Sequence, residues 1–169
     1  MSTTEIMMIK SNGDVVGYTD IQNAWRGGMH VWNSLQEKYN IHDKLFGVNG
    51  FKNTWAKFNK GFYQRHEDIV LGSTFDDVIV LKEDFGKLIH AFKMYGKEEP
   101  ASSFSEQADI INKMIADEEC IGVAWNQTSV CDDAWDFGYD EENDETIPYN
   151  IYKGSKHWNL FVELKESVS

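Results

Sequence analysis

The chain has 169 residues, of which 41% are hydrophobic and 14% aromatic, and it contains only two prolines. That apolar content offsets the entropy cost of ordering one domain, so we expect a single folded domain over residues 1–169. The formal net charge of −12 disfavours direct binding to nucleic acid or to an anionic membrane surface, because both carry negative charge.

The apolar runs and the cysteine count predict the localisation of the protein and the redox state of its thiols. No apolar run approaches 18 residues, and the first residues lack the basic and apolar regions of a signal peptide. We therefore expect a cytoplasmic protein that does not span a membrane. Cys120 and Cys131 are too few for a disulfide scaffold and are expected to be free thiols in a reducing compartment.

The N-terminal part is predicted to form a β-hairpin followed by two helices. Apolar runs flank Ser11–Asp14, whose Asn-Gly pair tolerates the positive φ of a tight turn. Apolar residues then recur every three or four positions from Ile21 to Tyr39, as on the buried face of an amphipathic helix. Phe51–Phe62 repeats this spacing and predicts a second helix.

The middle of the chain is predicted to contain strands and a third helix. Val78–Leu81 is a strand candidate because it is rich in β-branched residues, and Ile69–Leu71 is a weaker candidate. A helix is expected to begin at Glu83 or Asp84, its buried stripe starts at Phe85, and Gly96 stands where a glycine would end it.

The C-terminal part is predicted to contain a helix, a strand and a second hairpin. Ser103–Glu106 matches a capping box and opens a helix, after which Cys120–Trp125 is suited to an interior strand. Tyr149–Tyr152 and His157–Leu164 then fit a hairpin, although the latter segment also fits a short helix capped by Ser155. The whole order predicts an α+β domain with a mainly antiparallel sheet, N- and C-terminal hairpins and about four helices.

The negative charge is concentrated in one segment. Between Asp117 and Glu145 there are eleven acidic residues and no lysine or arginine, so the rest of the chain holds 17 acidic residues against all 16 basic ones. The apolar Cys120–Trp125 divides this segment, so most of the charge falls in an acidic loop at about 130–147. Aromatic residues are interleaved with the acids of that loop.

No common enzyme signature is present in the sequence. A phosphate-binding glycine loop, a dinucleotide fingerprint, a zinc-protease motif, a C-x-x-C pair and a nucleophile elbow are all missing. The acidic loop also lacks the alternating ligands and the turn glycine of a calcium-binding EF-hand. We therefore expect a protein that is not an enzyme, and we assign no catalytic, cofactor-binding or metal-binding residue from the sequence.

The acidic loop is our candidate binding site. Carboxylates can stand in for phosphates, and aromatic rings offer stacking and cation–π surfaces to arginine, so the composition suits docking onto a basic, nucleic-acid-binding surface of a partner protein. Phage-type anti-defence nucleic-acid mimics and toxin-neutralising immunity proteins act in this manner. The predicted partner-binding residues are Asp132, Asp133, Trp135, Asp136, Tyr139, Asp140, Glu141, Glu142, Asp144 and Glu145.

Three alternatives remain open at this stage. The aromatic residues of the acidic loop could fold back onto the core. A nucleotide-type small molecule could bind a pocket lined by tryptophans, of which Trp25, Trp32, Trp125 and Trp158 are the candidates. An enzyme without a motif could use Cys120 or Cys131 with a distant histidine as a nucleophile pair.

Overall fold

The computed structural model of the protein describes residues 3–22, 28–40, 58, 62–74, 77–127 and 135–164. The strands are β1 Thr3–Lys10, β2 Val15–Gln22, β3 Val78–Leu81, β4 Cys120–Gln127, β5 Asp136–Asp140, β6 Glu145–Pro148 and β7 Trp158–Asn159. The helices are α1 Gly28–Tyr39, α2 Arg65–Gly72, α3 Phe85–Glu98, α4 Phe104–Met114 and α5 Leu160–Glu163, with a 3-10 turn at Lys82–Asp84 before α3.

Five strands form a mixed sheet in the order β2-β1-β4-β3-β7, and β5 and β6 form a separate two-stranded sheet. β1 pairs antiparallel with both β2 and β4, and β3 pairs antiparallel with β4. The exception is β7, which runs parallel to β3 through Val78 and Ile79. The predicted α+β class is therefore confirmed, with one parallel pairing at the edge of the sheet.

The three central strands are buried on both faces. Along β3, Val78 and Val80 belong to one apolar cluster, whereas Ile79 between them belongs to another. Along β4, Val123 and Ala124 divide in the same way, because successive side chains of a strand point to opposite faces. The sheet therefore needs a cover on each side.

Helices cover the first face. Phe85, Leu88 and Phe92 of α3 and Phe104 and Ile111 of α4 are each at most 2% exposed and join the larger cluster. The second face is covered by the smaller cluster, in which Trp135 and Tyr149 pack with residues of β1, β3 and β4. These two aromatic residues flank the β5–β6 hairpin, so this hairpin lies on the side of the sheet opposite the helices.

Two predicted details of the helix ends are wrong. Gly96 does not end α3, which continues to Glu98; a Cβ at Gly96 would lie 2.1 Å from Ser105 Oγ, so the glycine permits close packing of α3 against α4. Ser103 is the N-cap of α4, but it makes no side-chain cap hydrogen bond, and its hydroxyl accepts one from the Gln107 amide at 3.0 Å.

The prediction also assigned three segments wrongly. Ile69–Leu71 lies in α2 and not in a strand, and Ile21 belongs to β2, so the first helix begins later than its periodicity indicated. The C-terminal hairpin does not form, because β7 pairs with β3 and the chain then enters α5. The second predicted helix, Phe51–Phe62, lies almost wholly outside the described residues. Among the helices that are described, none has the length and apolar character of a membrane span.

Candidate functional site: the acidic hairpin

The β5–β6 hairpin is closed at its base by two buried aromatic residues. The backbone N–H of Tyr149 donates a hydrogen bond to the carbonyl of Trp135 at 2.9 Å, and the two rings meet edge to face with their centroids 5.4 Å apart. Trp135 is 3% exposed and Tyr149 is 1% exposed. The base of the hairpin is therefore part of the core.

Trp135 is consequently a structural anchor, which corrects its place among the predicted partner-binding residues. Its indole N–H donates a hydrogen bond to the carbonyl of Trp125 in β4 at 2.9 Å. The Lys156 ammonium lies over the Trp135 and Tyr149 rings, at 5.7 Å and 4.9 Å from their centroids. For these two aromatic residues, folding back onto the core is the correct interpretation.

Backbone contacts tie the same base to the N-terminal turn. The Val15 N–H donates to the Tyr149 carbonyl at 2.8 Å, and the Asn150 side-chain amide donates to the Asn12 carbonyl and to Asp14, each at 2.9 Å. Since these bonds join segments that are distant in sequence, they fix the hairpin to the sheet.

The turn of the hairpin is organised by Asp140. Its carboxylate accepts hydrogen bonds from the Asn143 side-chain amide at 2.8 Å and from the Glu142 backbone N–H at 3.0 Å. The hydrogen bond from the Asn143 side chain is the largest cause that lowers the pKa of Asp140; desolvation, the next largest, opposes it, and the backbone N–H groups of Asn143 and Glu142 lower the pKa further. Asp144 closes the turn with a φ of 53°. Asp140 thus shapes the hairpin as well as contributing charge.

The outer surface of the hairpin combines carboxylates with exposed apolar side chains. Phe137, Tyr139 and Ile147 are 46%, 54% and 42% exposed. Glu141, Glu142, Asp144 and Glu145 are also exposed. Within the described part of the chain, no carboxylate of residues 136–145 lies within 4.0 Å of a lysine, arginine or histidine nitrogen. We call residues 136–147 the acidic hairpin face.

A cleft of about 370 Å³ lies beside this face, between the hairpin and the β1–β2 edge. Glu5 and Asp136 contribute acidic groups to it, and Met7, Val16 and Pro148 contribute apolar surface. The sequence did not predict Glu5, Phe137 or Ile147 as part of the site. Phe137 carried a signal, since it alternates with Asp136 in an acidic strand, but Glu5 is adjacent only through the fold.

Of the remaining predicted residues, the structure brings Asp136, Tyr139, Asp140, Glu141, Glu142, Asp144 and Glu145 together on one hairpin. Asp132 and Asp133 lie outside the described residues. The predicted acidic loop is therefore ordered as two strands from Asp136 onward.

A second polar cluster is buried at the start of α2. His66, Glu67 and Asp68 are 5%, 1% and 5% exposed. Glu67 accepts hydrogen bonds from the Lys38 ammonium at 2.8 Å, from the Gln64 backbone N–H at 2.9 Å and from the Tyr39 hydroxyl. Residues from α1 and α2 meet here.

The electrostatics of this cluster favour the ionised carboxylate. Burial raises the pKa of Glu67, but the hydrogen bonds from Lys38, Tyr39 and the Gln64 backbone together outweigh burial and lower the pKa below its ordinary value. The hydrogen bond to Glu67 raises the pKa of Lys38, against a smaller effect of desolvation. Burial, and then the hydrogen bond to Glu67, raise the pKa of Tyr39 to about 12. All three pKa shifts are those expected when an ionised carboxylate is paired with an ammonium group.

Two of the four tryptophans predicted to line a ligand pocket make hydrogen bonds within the protein. Trp32 donates its indole N–H to Thr74 Oγ1 at 2.9 Å, and Trp125 donates to Gln107 Oε1 at 2.9 Å, which are core contacts. The larger cavity described, of about 520 Å³, is lined by Ile69, Met94, Phe161 and their neighbours and by no tryptophan. Trp25 lies outside the described residues.

The Cys–His alternative is also weakened. Cys120 is 1% exposed, and burial raises the pKa of its thiol, so the nucleophilic thiolate is disfavoured. Cys131 lies outside the described residues.

The comparisons with known proteins identify no relative: no protein-family model, no curated protein and no solved structure matches the chain.

Proposed function

We propose that the protein is an acidic interaction protein that docks its acidic hairpin face on a basic, nucleic-acid-binding surface of a partner protein and blocks it. One observation supports this proposal above the others: no lysine, arginine or histidine in the described part of the chain pairs with the carboxylates of the face, and Phe137, Tyr139 and Ile147 are about half exposed beside them. Exposed aromatic residues surrounded by side chains of one charge are typical of an interaction surface.

Charge complementarity determines the chemistry of the partner. Carboxylates of one hairpin attract lysine and arginine, and Tyr139 and Phe137 offer ring faces to guanidinium groups. The partner is therefore basic, as nucleic-acid-binding enzymes are, and the protein acts in the manner of a phage-type anti-defence nucleic-acid mimic or an immunity protein. Association is fast and weakens with salt, because opposite potentials steer the encounter and are screened over about 8 Å at physiological ionic strength.

The test removes charge from the face without disturbing the turn. In the hairpin variant, Glu141, Glu142 and Glu145 are replaced by glutamine, while Asp140 is kept because it holds the turn. A matched control replaces three exposed glutamates elsewhere, namely Glu37, Glu83 and Glu118, and makes the same change in net charge.

Each protein is immobilised, and proteins captured from lysate are identified and then competed with duplex DNA. We expect the wild type and the control to retain the same basic protein, DNA to displace it, and the hairpin variant to lose it. Equal capture by the hairpin variant would contradict the proposal, as would a captured protein that DNA does not displace.

A further inference from the structure

The buried cluster at the start of α2 has the composition of a metal site. Suitable ligand atoms of His66, Glu67 and Glu98 all lie within 4.8 Å of one another. His66 and Glu67 begin α2 and are buried, whereas Glu98 ends α3 and its side chain is 41% exposed. One imidazole and two carboxylates are a donor set that Zn²⁺ takes in proteins, with water as the fourth ligand.

The geometry of His66 is the independent observation that points to a cation. Its Nε2 lies 3.0 Å from Glu98 Oε1, yet this buried nitrogen has no hydrogen-bond partner among the described residues, so the contact lacks the alignment of a hydrogen bond. Two ligands bound to one tetrahedral ion at about 2.0–2.1 Å have donor atoms about 3.3 Å apart, which is close to the His66–Glu98 separation. A buried nitrogen and a carboxylate oxygen at this separation are therefore placed as two ligands converging on a shared ion.

Lys38 shows that the two carboxylates already share a cation. Its Nζ lies 2.8 Å from Glu67 Oε2 and 3.7 Å from Glu98 Oε2. The lysine side chain is 43% exposed, so the ammonium group has a route into solvent. A divalent ion bound by the same carboxylates would meet strong repulsion from the ammonium group, and the two cations therefore exclude each other.

From these contacts we propose that His66 Nε2, Glu67 and Glu98 form a binding site for a divalent transition metal of the zinc class, and that Lys38 is the resident cation the metal displaces. Glu67 is oriented for this role by the Tyr39 hydroxyl and the Gln64 backbone N–H, both of which hold its other oxygen. Such contacts to a ligating carboxylate fix its direction. Access runs past the exposed Glu98 and the cavity beside His66.

The proposal is tested on the full chain after treatment with a chelator, with Zn²⁺ and Co²⁺ alone as probes. Isothermal titration calorimetry gives affinity and stoichiometry, and the visible absorption of Co²⁺ reports its coordination. We expect one equivalent to bind, and His66→Ala and Glu98→Gln each to weaken binding by about tenfold or more. Glu98→Gln alters a half-exposed side chain, so this variant keeps the test valid if His66→Ala does not fold.

Two further variants distinguish a metal site from a structural ion pair. His90→Ala alters an exposed histidine of the same cavity that is outside the cluster, and it is expected to leave affinity unchanged. Lys38→Gln removes the competing cation and is expected to raise affinity, whereas a purely structural network would only lose stability. Absence of one-equivalent binding, or a Glu98→Gln affinity equal to that of the wild type, would overturn the proposal.

Discussion

Replacing Trp135 with phenylalanine tests whether the acidic hairpin is anchored in the core. The substitution keeps an aromatic ring but removes the indole N–H that donates to the Trp125 carbonyl at 2.9 Å. Depriving a buried acceptor of its donor costs about 1–3 kcal/mol. For a domain of this size each kcal/mol lowers the melting temperature by about 2–4 °C, so we expect a decrease of roughly 2–12 °C.

Circular dichroism is the suitable probe for both thermal and urea unfolding, because the substitution removes a fluorophore. The midpoint should fall while the slope with urea stays constant, since the surface exposed on unfolding hardly changes. Tyr139→Phe is the matched control on the same hairpin: this side chain is 54% exposed, and its change should stay within about 0.5 kcal/mol. If Trp135→Phe were as mild as Tyr139→Phe, the anchoring role of Trp135 would be refuted.

Two other sets of changes have defined outcomes. Glu67→Gln leaves the half-exposed Lys38 ammonium without its buried partner, and we expect a loss of about 1–3 kcal/mol in urea unfolding at pH 7. The folded-state pKa of Glu67 lies below its ordinary value of 4.5, so the stability that the ionised carboxylate contributes is present above that value and is lost as pH falls through the folded pKa. The free energy of unfolding should therefore fall less steeply from pH 7 to pH 3 in Glu67→Gln than in the wild type. Parallel curves would contradict this. Gly122→Ala places a Cβ 2.8 Å from the Val80 carbonyl oxygen and should destabilise the fold by about 1–3 kcal/mol. Gly86→Ala, in α3, adds a Cβ that has no described atom within 4 Å, and it should stabilise the fold by up to about 1 kcal/mol. Thermal melts of both glycine variants check the signs, and a stabilised Gly122→Ala would show that this strand pair is loosely packed.

Local patterns predicted the elements whose signals are short in range. Val78–Leu81 is β3 as predicted, because a run of β-branched residues between polar segments specifies a buried strand. The periodicities that begin at Phe85 and Phe104 are α3 and α4. The strand candidate Ile69–Leu71 failed because three apolar residues carry no period, so they did not distinguish a buried helix from a strand.

Long-range pairing explains the errors at the C-terminus. The alternation around Trp158 suggested a strand, and Trp158–Asn159 is one, but its partner is β3, which lies far away in the sequence. Alternation of apolar and polar residues shows which face each side chain of a strand occupies, but it does not show which strand pairs with it. The prediction therefore paired this segment with its neighbour in sequence, as a hairpin. Leu160–Glu163 then turns into α5 under an Asn159 cap.

The candidate sites were predictable to different extents, because contacts between segments distant in sequence are not visible in the sequence. Charge is visible in any sequence, so most of the acidic hairpin face was found. Which aromatic residues are buried was not visible, because Trp135 and Tyr149 become anchors only through contact with β1, β3 and β4. The cluster around Glu67 was missed because Lys38 and Glu98 reach it from other helices.

The way the acidic hairpin is anchored also bears on its function. An isolated two-stranded hairpin is marginally stable in water, and carboxylates crowded onto it repel one another. The charge of this face therefore works against its own fold, and the buried Trp135–Tyr149 base compensates for it. A chain that needed only solubility would gain nothing from holding repelling charges in one fixed geometry. A rigid face does benefit binding, because less freedom is lost when the partner docks. The fixed geometry, with Phe137 and Tyr139 exposed beside the carboxylates, therefore favours a docking surface over a solvating loop.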